Sequence, residues 1–458
     1  MGMSSGSKPT ALEFKVLDES KVLRFHWLLD TLASLGGPFV DALNEFGGSV
    51  ALTVLAAIFH LTPVETAITL AGYWIGVGTG GMVVGALSDM YGRRFIFTWD
   101  MLFVGIMAIA SALVFNAIQF FITRFLLGFV IGADYTAAVP LMSEYAPVHS
   151  RGRLLGYQKI WFMIGEILAP ALGIAFEPIV GVDNAWRLVF VIAAIPAIAL
   201  FFLRKSMPES IRWATALGRK KEADEANSML RKYGLEVDLS NVSFEYRRWR
   251  FRDVYREFFS RKNLRAILYV FWVGTAYALT INLMSVWQPY YLEQLHATPT
   301  YSLLSTTVSA AVAFVGVLLV TLTIDKWGGR RLWGGLLGFV LSSIPMFILY
   351  FGLLYHVLTL PEVTALFSIF GFIMIGAIGV LQYVPAAEVT STRTRGLSVG
   401  WDKLWEFIIA APAFTIYAVL GPLYSPLYDA IVCIAAGIIL YYLAIETTGK
   451  SLEEIAGE

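Results

Sequence analysis

Twelve long apolar stretches punctuate this chain, near residues 29–59, 66–87, 94–114, 117–141, 155–177, 186–203, 264–293, 302–324, 332–355, 364–386, 397–420 and 426–445. A helix needs about 20 mostly apolar residues to cross the hydrocarbon of a bilayer. Each stretch is long enough, and together they leave little chain from which to build a soluble domain. Of the residues, 57% are hydrophobic and 15% charged, against roughly a quarter charged in a soluble protein. The expectation is an all-α membrane protein with twelve transmembrane helices.

Basic residues set the orientation, because cytoplasmic loops retain lysine and arginine. Alternate loops hold Arg93 and Arg94, Arg151 and Arg153, Lys326 with Arg330 and Arg331, and Arg393 with Arg395. The loops between them carry Glu65, Glu177, Asp183, Arg187, Glu293 and Glu362, and so little basic charge. Both termini are therefore expected in the cytoplasm, with the chain multi-pass in the cell membrane. Residues 1–26 are polar, lack an apolar core and read as a cytoplasmic tail rather than a signal peptide. The division that follows is a six-helix half at 27–204, a cytoplasmic linker with short helices at 205–263, a second six-helix half at 264–446, and a tail at 447–458. The lone cysteine, Cys433, excludes an intrachain disulfide, and the five histidines are scattered, so no metal site or cofactor is expected. A net charge of zero gives no reason to expect nucleic acid.

The chain also repeats itself. Gly85-Ala-Leu-Ser-Asp-Met-Tyr-Gly-Arg-Arg94 follows the second span, and a degenerate copy, Asp325-Lys-Trp-Gly-Gly-Arg-Arg331, follows the eighth. Glu144-Tyr-Ala-Pro-Val-His-Ser-Arg-Gly152 follows the fourth, and Glu388-Val-Thr-Ser-Thr-Arg-Thr-Arg-Gly396 the tenth. The offsets are nearly equal, 236 residues (89 to 325) and 244 (144 to 388), which points to duplication of a six-span unit. Pro208-Glu-Ser-Ile-Arg212 and Glu446-Thr-Thr-Gly-Lys-Ser-Leu-Glu-Glu454 complete the set. With these motifs the chain resembles the major facilitator superfamily, and within it the sugar porters. Gly132-Ala-Asp-Tyr135 in the fourth span is more similar to the phosphate and organic-acid symporters of the same superfamily.

The resemblance implies the major facilitator fold, two pseudo-symmetric halves of six helices that alternate access around a midplane site. It also implies a gating latch of Asp89, Arg93, Arg94, Glu144, Arg151, Asp325, Arg330, Arg331, Glu388 and Arg395. In this reading Glu144 and Arg151, with Glu388 and Arg395, form charge clusters that lock the outward-facing state. Simple positive-inside anchoring is the alternative. Glycines such as Gly85 allow close helix contact, and Gly92 allows a tight turn.

Ionised groups inside a span cost about 2.5–3.5 kcal/mol on insertion scales, so each requires a reason. Span one carries Asp41, Asn44 and Glu45, and span four carries Arg124 and Asp134. The last two are ten residues apart, about 15 Å along one helix face. Asp41 and Arg124 fall where proton-coupled sugar porters keep a carboxylate and its arginine. The resemblance therefore assigns proton coupling to Asp41, modulated by Arg124, with Asp134 as a second proton site. A static buried ion pair is the competing role.

By register with the sugar porters, Gln158 and Lys159 in span five, Gln382 and Tyr383 in span ten and Glu406 in span eleven fall at or beside substrate-binding positions. Asn282 and Trp287 lie near those of span seven. Lys159 and Glu166, seven residues apart, share a helix face. Two of the expected amides are here a lysine and a glutamate, which leaves two readings. A charged substrate meets Lys159, or Lys159 pairs with a neighbouring acid and the substrate is neutral. Lys403, three residues before Glu406, offers that acid a local partner. Among the aromatics, Tyr135, Trp161 and Trp287 are pocket candidates. Tyr73, Trp74, Trp272, Tyr277, Tyr290 and Tyr291 read as lipid-facing or interfacial anchors.

The function expected is secondary active transport, a proton-coupled symport of a small hydrophilic metabolite (a sugar, or an organic or inorganic anion), working as a monomer in the lipid bilayer. Passive uniport and a non-transporting receptor on the same fold are the alternatives. No nucleophile–base pair suggests an enzyme.

Overall fold

The computed structural model describes residues 14–457 apart from 62, 241, 243, 245, 247, 248, 286 and 287. Trp287 and the side chains of Asn282 and Tyr290 lie outside the described residues. All regular structure among the described residues is helical. Two compact units form, one of Met1–Leu264, Ala386–Leu404 and Gly449–Glu458, the other of Arg265–Pro385 and Trp405–Thr448.

The first unit opens with α1 (Lys15–Asp18) and α2 (Arg24–Ser34). A π-helical turn, Leu35–Phe39, then leads into α3 (Val40–Ile58). The first span is thus interrupted at Gly36-Gly37-Pro38, where a wide turn absorbs a proline that an α-helix interior rejects. Next come α4 (Pro63–Tyr91), α5 (Arg93–Ala112), α6 (Ala117–Tyr145), α7 (Arg151–Val180) and α8 (Val182–Arg204). Asn116 caps α6 by accepting from the Gln119 N–H at 2.9 Å. α4 and α6 pack backbone to backbone. A Cβ at Gly76 or Gly80 would overlap the carbonyl of Phe125 or Phe129, and one at Gly128 or Gly132 that of Tyr73 or Val77. Glycine is what permits this approach in a membrane, where small residues replace the hydrophobic drive. The linker supplies α9 (Ile211–Ala216), α10 (Lys220–Arg231) and α11 (Phe251–Phe258).

The second unit contains nearly all of α12 (Leu264–Ser285), then α13 (Gln288–Gln294), α14 (Pro299–Thr323) and α15 (Gly329–Arg331). A π-helical run, Leu332–Val340, continues into α16 (Leu341–Leu354), followed by α17 (Leu360–Leu381). The glycine device recurs here, since a Cβ at Gly316 would overlap the Phe372 carbonyl. After α18 (Val384–Glu388), α19 runs Arg395–Leu443 as two limbs broken at Gly421, whose φ of 63° and ψ of −176° no helix accommodates. The chain ends in α20 (Leu452–Ala456). Nine helical stretches among the described residues are long and apolar enough to cross a membrane. The other three places that the sequence assigns are occupied by α2–α3, α4 and the first limb of α19.

Candidate functional site

Within the first unit, α3 carries Asp41 into a cage of phenols. Tyr73 from α4 donates to Asp41 Oδ1, and Tyr135 from α6 donates to Oδ2 at 2.5 Å. Tyr73 is fully buried rather than interfacial, which corrects the sequence expectation. Tyr277 and Tyr291 are buried as well. Hydropathy cannot tell which face of an apolar helix meets protein and which meets lipid. Arg124 does not touch Asp41 directly. Its guanidinium carbon lies 4.1 Å from the Tyr73 ring centroid, and Nη1 donates to the Asn44 carbonyl at 2.7 Å. The cation therefore acts on the acid through the ring and across space. Lys403, at the start of α19, places its ammonium 5.2 Å from the Tyr135 ring. It is a second positive group near Asp41, which its spacing from Glu406 alone does not reveal.

Asp134 belongs to a different cluster. Arg204, the last residue of α8, binds Asp134 and, at 3.3 Å, Asp100 of α5, and also donates to the Phe97 carbonyl at 2.8 Å. Two carboxylates share one guanidinium against the π-turn. A Cβ at Gly36 would overlap Arg204, and one at Gly37 would overlap Asp134. The sequence reading missed Asp100 and Arg204 as partners. Asp100, an acid inside span three, was itself a visible signal, whereas Arg204 read as a boundary residue.

On α7, Gln158 is fully buried, and neither of its side-chain amide atoms has a hydrogen-bond partner. Lys159 beside it holds its ammonium 4.2 Å from the Phe162 ring. Glu45 and Glu166 are close enough to Lys159 for all three charges to interact. Trp161 packs edge-on against Phe39 at 5.9 Å. In the second unit, Gln382 donates to Glu406 at 2.6 Å, and Tyr383 is buried beside it. Trp405, next to Glu406, donates to Thr275 at 3.0 Å.

The loop motifs gather in the first unit at the end of α4. Asp89 accepts from the backbone N–H groups of Gly396 and Leu397 at 3.0 and 2.8 Å, capping the start of α19. Arg93 reaches Asp89 at 3.1 Å, Glu144 at 3.3 Å and the Thr392 carbonyl at 2.6 Å. Arg395 donates to the same Glu144 oxygen at 2.8 Å. Helix contact reinforces the charges, because a Cβ on Gly85 would lie 2.6 Å from the Gly396 carbonyl. Arg151 goes elsewhere, to Asp18 at 3.3 Å and the Lys450 carbonyl at 3.1 Å, and Glu388 interacts with it electrostatically. Arg212 joins Asp18 at 2.8 Å to Glu453 of α20 and donates to the Glu144 carbonyl at 2.8 Å. Phe14 lies under the Arg212 guanidinium and is buried with Leu17, so the end of the N-terminal tail is docked. Burial pushes the Asp18 carboxyl above its ordinary range against the pull of Arg212 and Arg151. Glu209 accepts from the N–H groups of Arg93 and Arg94 at 2.9 and 3.1 Å, while Arg94 donates to the Lys205 carbonyl. In the second unit Arg330 pairs with Asp325 at 2.8 Å, and Glu446 accepts from the N–H groups of Arg330 and Arg331, both at 3.1 Å. Glu209, Arg212, Glu446 and Glu453 lie in the quoted motifs, but nothing in the sequence marked Asp18.

Residues 35–458 match the family described as sugar (and other) transporter. The chain belongs to this family. The transporter is 25% identical over 441 residues to the niacin transporter NiaP of Acinetobacter baylyi, covering 94% of this chain and 97% of that protein. It is 24% identical over 506 residues to an Arabidopsis thaliana protein named "Probable inorganic phosphate transporter 1-6", covering 97% and 96% of the two chains. Its fold is similar to that of the proton:xylose symporter XylE bound to 6-bromo-6-deoxy-D-glucose, with a TM-score of 0.78 at 19% identity over 94% of this chain and 98% of that one. The transporter therefore has the major facilitator fold, and it is not an enzyme.

Proposed function

We propose that this transporter is a proton-coupled symporter of a small hydrophilic metabolite, a sugar or an organic or inorganic anion, working by alternating access as a monomer in the cell membrane. Asp41 carries the reading. It is a buried carboxylate with both oxygens held by phenol donors and with Arg124 and Lys403 nearby. Phenol donors and nearby cations support such a group as an anion, while burial in a span favours its protonated form, so it can alternate between the two. Asp134, shared with Arg204 and Asp100, is the second proton site in this reading. Relatives named for niacin, phosphate and xylose differ in charge, so the class of cargo rests on this chain's own polar groups. These are Gln158, Lys159, Glu166, Trp161 and Tyr135 in the first unit, and Gln382, Tyr383 and Glu406 in the second, with Asn282 and Trp287 retained from the register. The network around Glu144 is the gating latch, and the basic loops face the cytoplasm with both termini.

The test is transport in proteoliposomes. Asp41→Asn is expected to lose proton-driven accumulation by about tenfold or more while retaining substrate counterflow, which moves no net protons. Accumulation that survives Asp41→Asn would overturn the assignment, and flux indifferent to the pH gradient in the parent would make the protein a uniporter.

A further inference from the structure

The second unit buries an acid that the transport reading does not use. Asp429 sits on the second limb of α19, two helical turns beyond the break at Gly421, and is completely buried. Its Oδ1 lies 2.6 Å from the hydroxyl of Tyr417 on the first limb, and its Oδ2 has no hydrogen-bond partner. The Tyr417 hydroxyl is also 2.8 Å from the carbonyl oxygen of Leu279 on α12. A phenol has one hydrogen, and here two acceptors compete for it. If that hydrogen goes to the Leu279 carbonyl, the 2.6 Å contact between Tyr417 Oη and Asp429 Oδ1 needs a second hydrogen, which must come from the acid.

The surroundings favour the same protonation state. Among the described residues, the groups that face Asp429 are Tyr417 from the first limb, Tyr428 and Cys433 from its own limb, and Tyr291 from α13. Ser342 of α16 approaches through Cys433, at 3.5 Å. All of these are neutral, and no described cation acts on the carboxyl. An ionised carboxylate inside a span is tolerated where a cation or water meets it. Asp41 shows the opposite design, with a phenol donor on each oxygen and two cations close by.

We propose that Asp429 is a proton-binding site of the second unit, separate from Asp41 and Asp134. Its proton sits on Oδ1 and is donated to Tyr417 Oη, while the Tyr417 hydrogen is donated to the Leu279 carbonyl. No bond other than these hydrogen bonds is made or broken.

Infrared spectroscopy of the purified full-length protein at neutral pH tests this without substrate or gradient, so its outcome is independent of the symport reading. Asp429→Asn is expected to remove the intensity of one carboxyl group from the protonated-acid C=O stretch, with the melting transition showing that the variant is folded. Tyr417→Phe leaves the acid in place and is expected to move that band, because the acid loses its acceptor. If Asp429→Asn instead removes intensity from the ionised-carboxylate stretch, the proposal fails. Should that variant not fold, an unmoved protonated-acid band in Tyr417→Phe overturns the proposal, and a moved band supports it.

Discussion

The loop after the second span and its copy after the eighth hold their helix starts in the same way. Glu209 accepts from two successive N–H groups at Arg93 and Arg94, and Glu446 does so at Arg330 and Arg331, each shifted by 237 residues (209 to 446, 93 to 330). Each carboxylate answers donors that a helix N-terminus otherwise leaves open. Each loop also pairs its arginine with the acid just before it. Arg330 turns back to Asp325, five residues before it. Arg93 likewise turns back to Asp89, four residues before it. The two also reach residues 392–397, about 300 positions along the chain, with Arg93 sharing Glu144 with Arg395. Duplication kept the local cap in both copies, and in the first copy the charges also join segments far apart in the chain.

The largest effect is expected from breaking that network. Glu144 is fully buried between two guanidinium groups, and removing one partner of a buried pair costs about 3–5 kcal/mol. A double-mutant cycle of Glu144→Gln with Arg395→Gln, read by thermal melting, is expected to give a larger coupling energy than Asp325→Asn with Arg330→Gln. Equal couplings would mean that the two loops are energetically alike and that the latch is only anchoring.

A middle-sized effect is expected at the aspartates. Asp89→Asn keeps one acceptor, enough for Gly396 or Leu397 but not both, and removes the charge facing Arg93, and a charge-assisted hydrogen bond is worth about 1.5–3 kcal/mol. Counterflow and melting should therefore both suffer more in Asp89→Asn than in Asp325→Asn, and the reverse order would move the latch to the second copy.

The caps sharpen the comparison most finely, with about 1 kcal/mol expected for each. Burial opposes the charge of Glu446, but Thr448 and the N–H groups of Arg331 and Arg330 outweigh it, so its carboxyl lies below the ordinary range. Its stabilising contribution is present at neutral pH and fades as the pH falls through that lowered value. Glu209 is the opposite case. Burial prevails over the Ser210 N–H and Arg93, so its carboxyl lies above the ordinary range and holds a proton more tightly than in the unfolded chain. Stability from that proton is present in acid and lost as the pH rises through the raised value. Glu446→Gln should thus lower the melting temperature at neutral pH more than Glu209→Gln, with a deficit that shrinks on acidification. Equal deficits across that range would show that the two caps are the same.

Much of this molecule was visible in one dimension. Apolar runs of about 20 residues have no other stable home than a bilayer, and near-constant offsets expose the duplication. The notable charges inside the spans, Asp41, Arg124 and Asp134, were conspicuous because such groups are costly there. Partner choice was not visible. Asp134 looked like a neighbour of Arg124 on its own helix, yet it binds Arg204, 70 residues away. Glu144, Arg151, Glu388 and Arg395 looked like one set of charge clusters, but only the structure showed that Glu144 binds Arg395 across 251 positions. Tyr73 looked like an interfacial anchor, yet it donates to Asp41. The sequence alone determined that this chain lives in a membrane, that it is built twice, and which residues carry charge. Only the tertiary structure decided which charges meet, because that depends on the helix faces turned inward when glycine stripes bring backbones together. In helices this uniformly apolar, no periodicity in the sequence marks those faces.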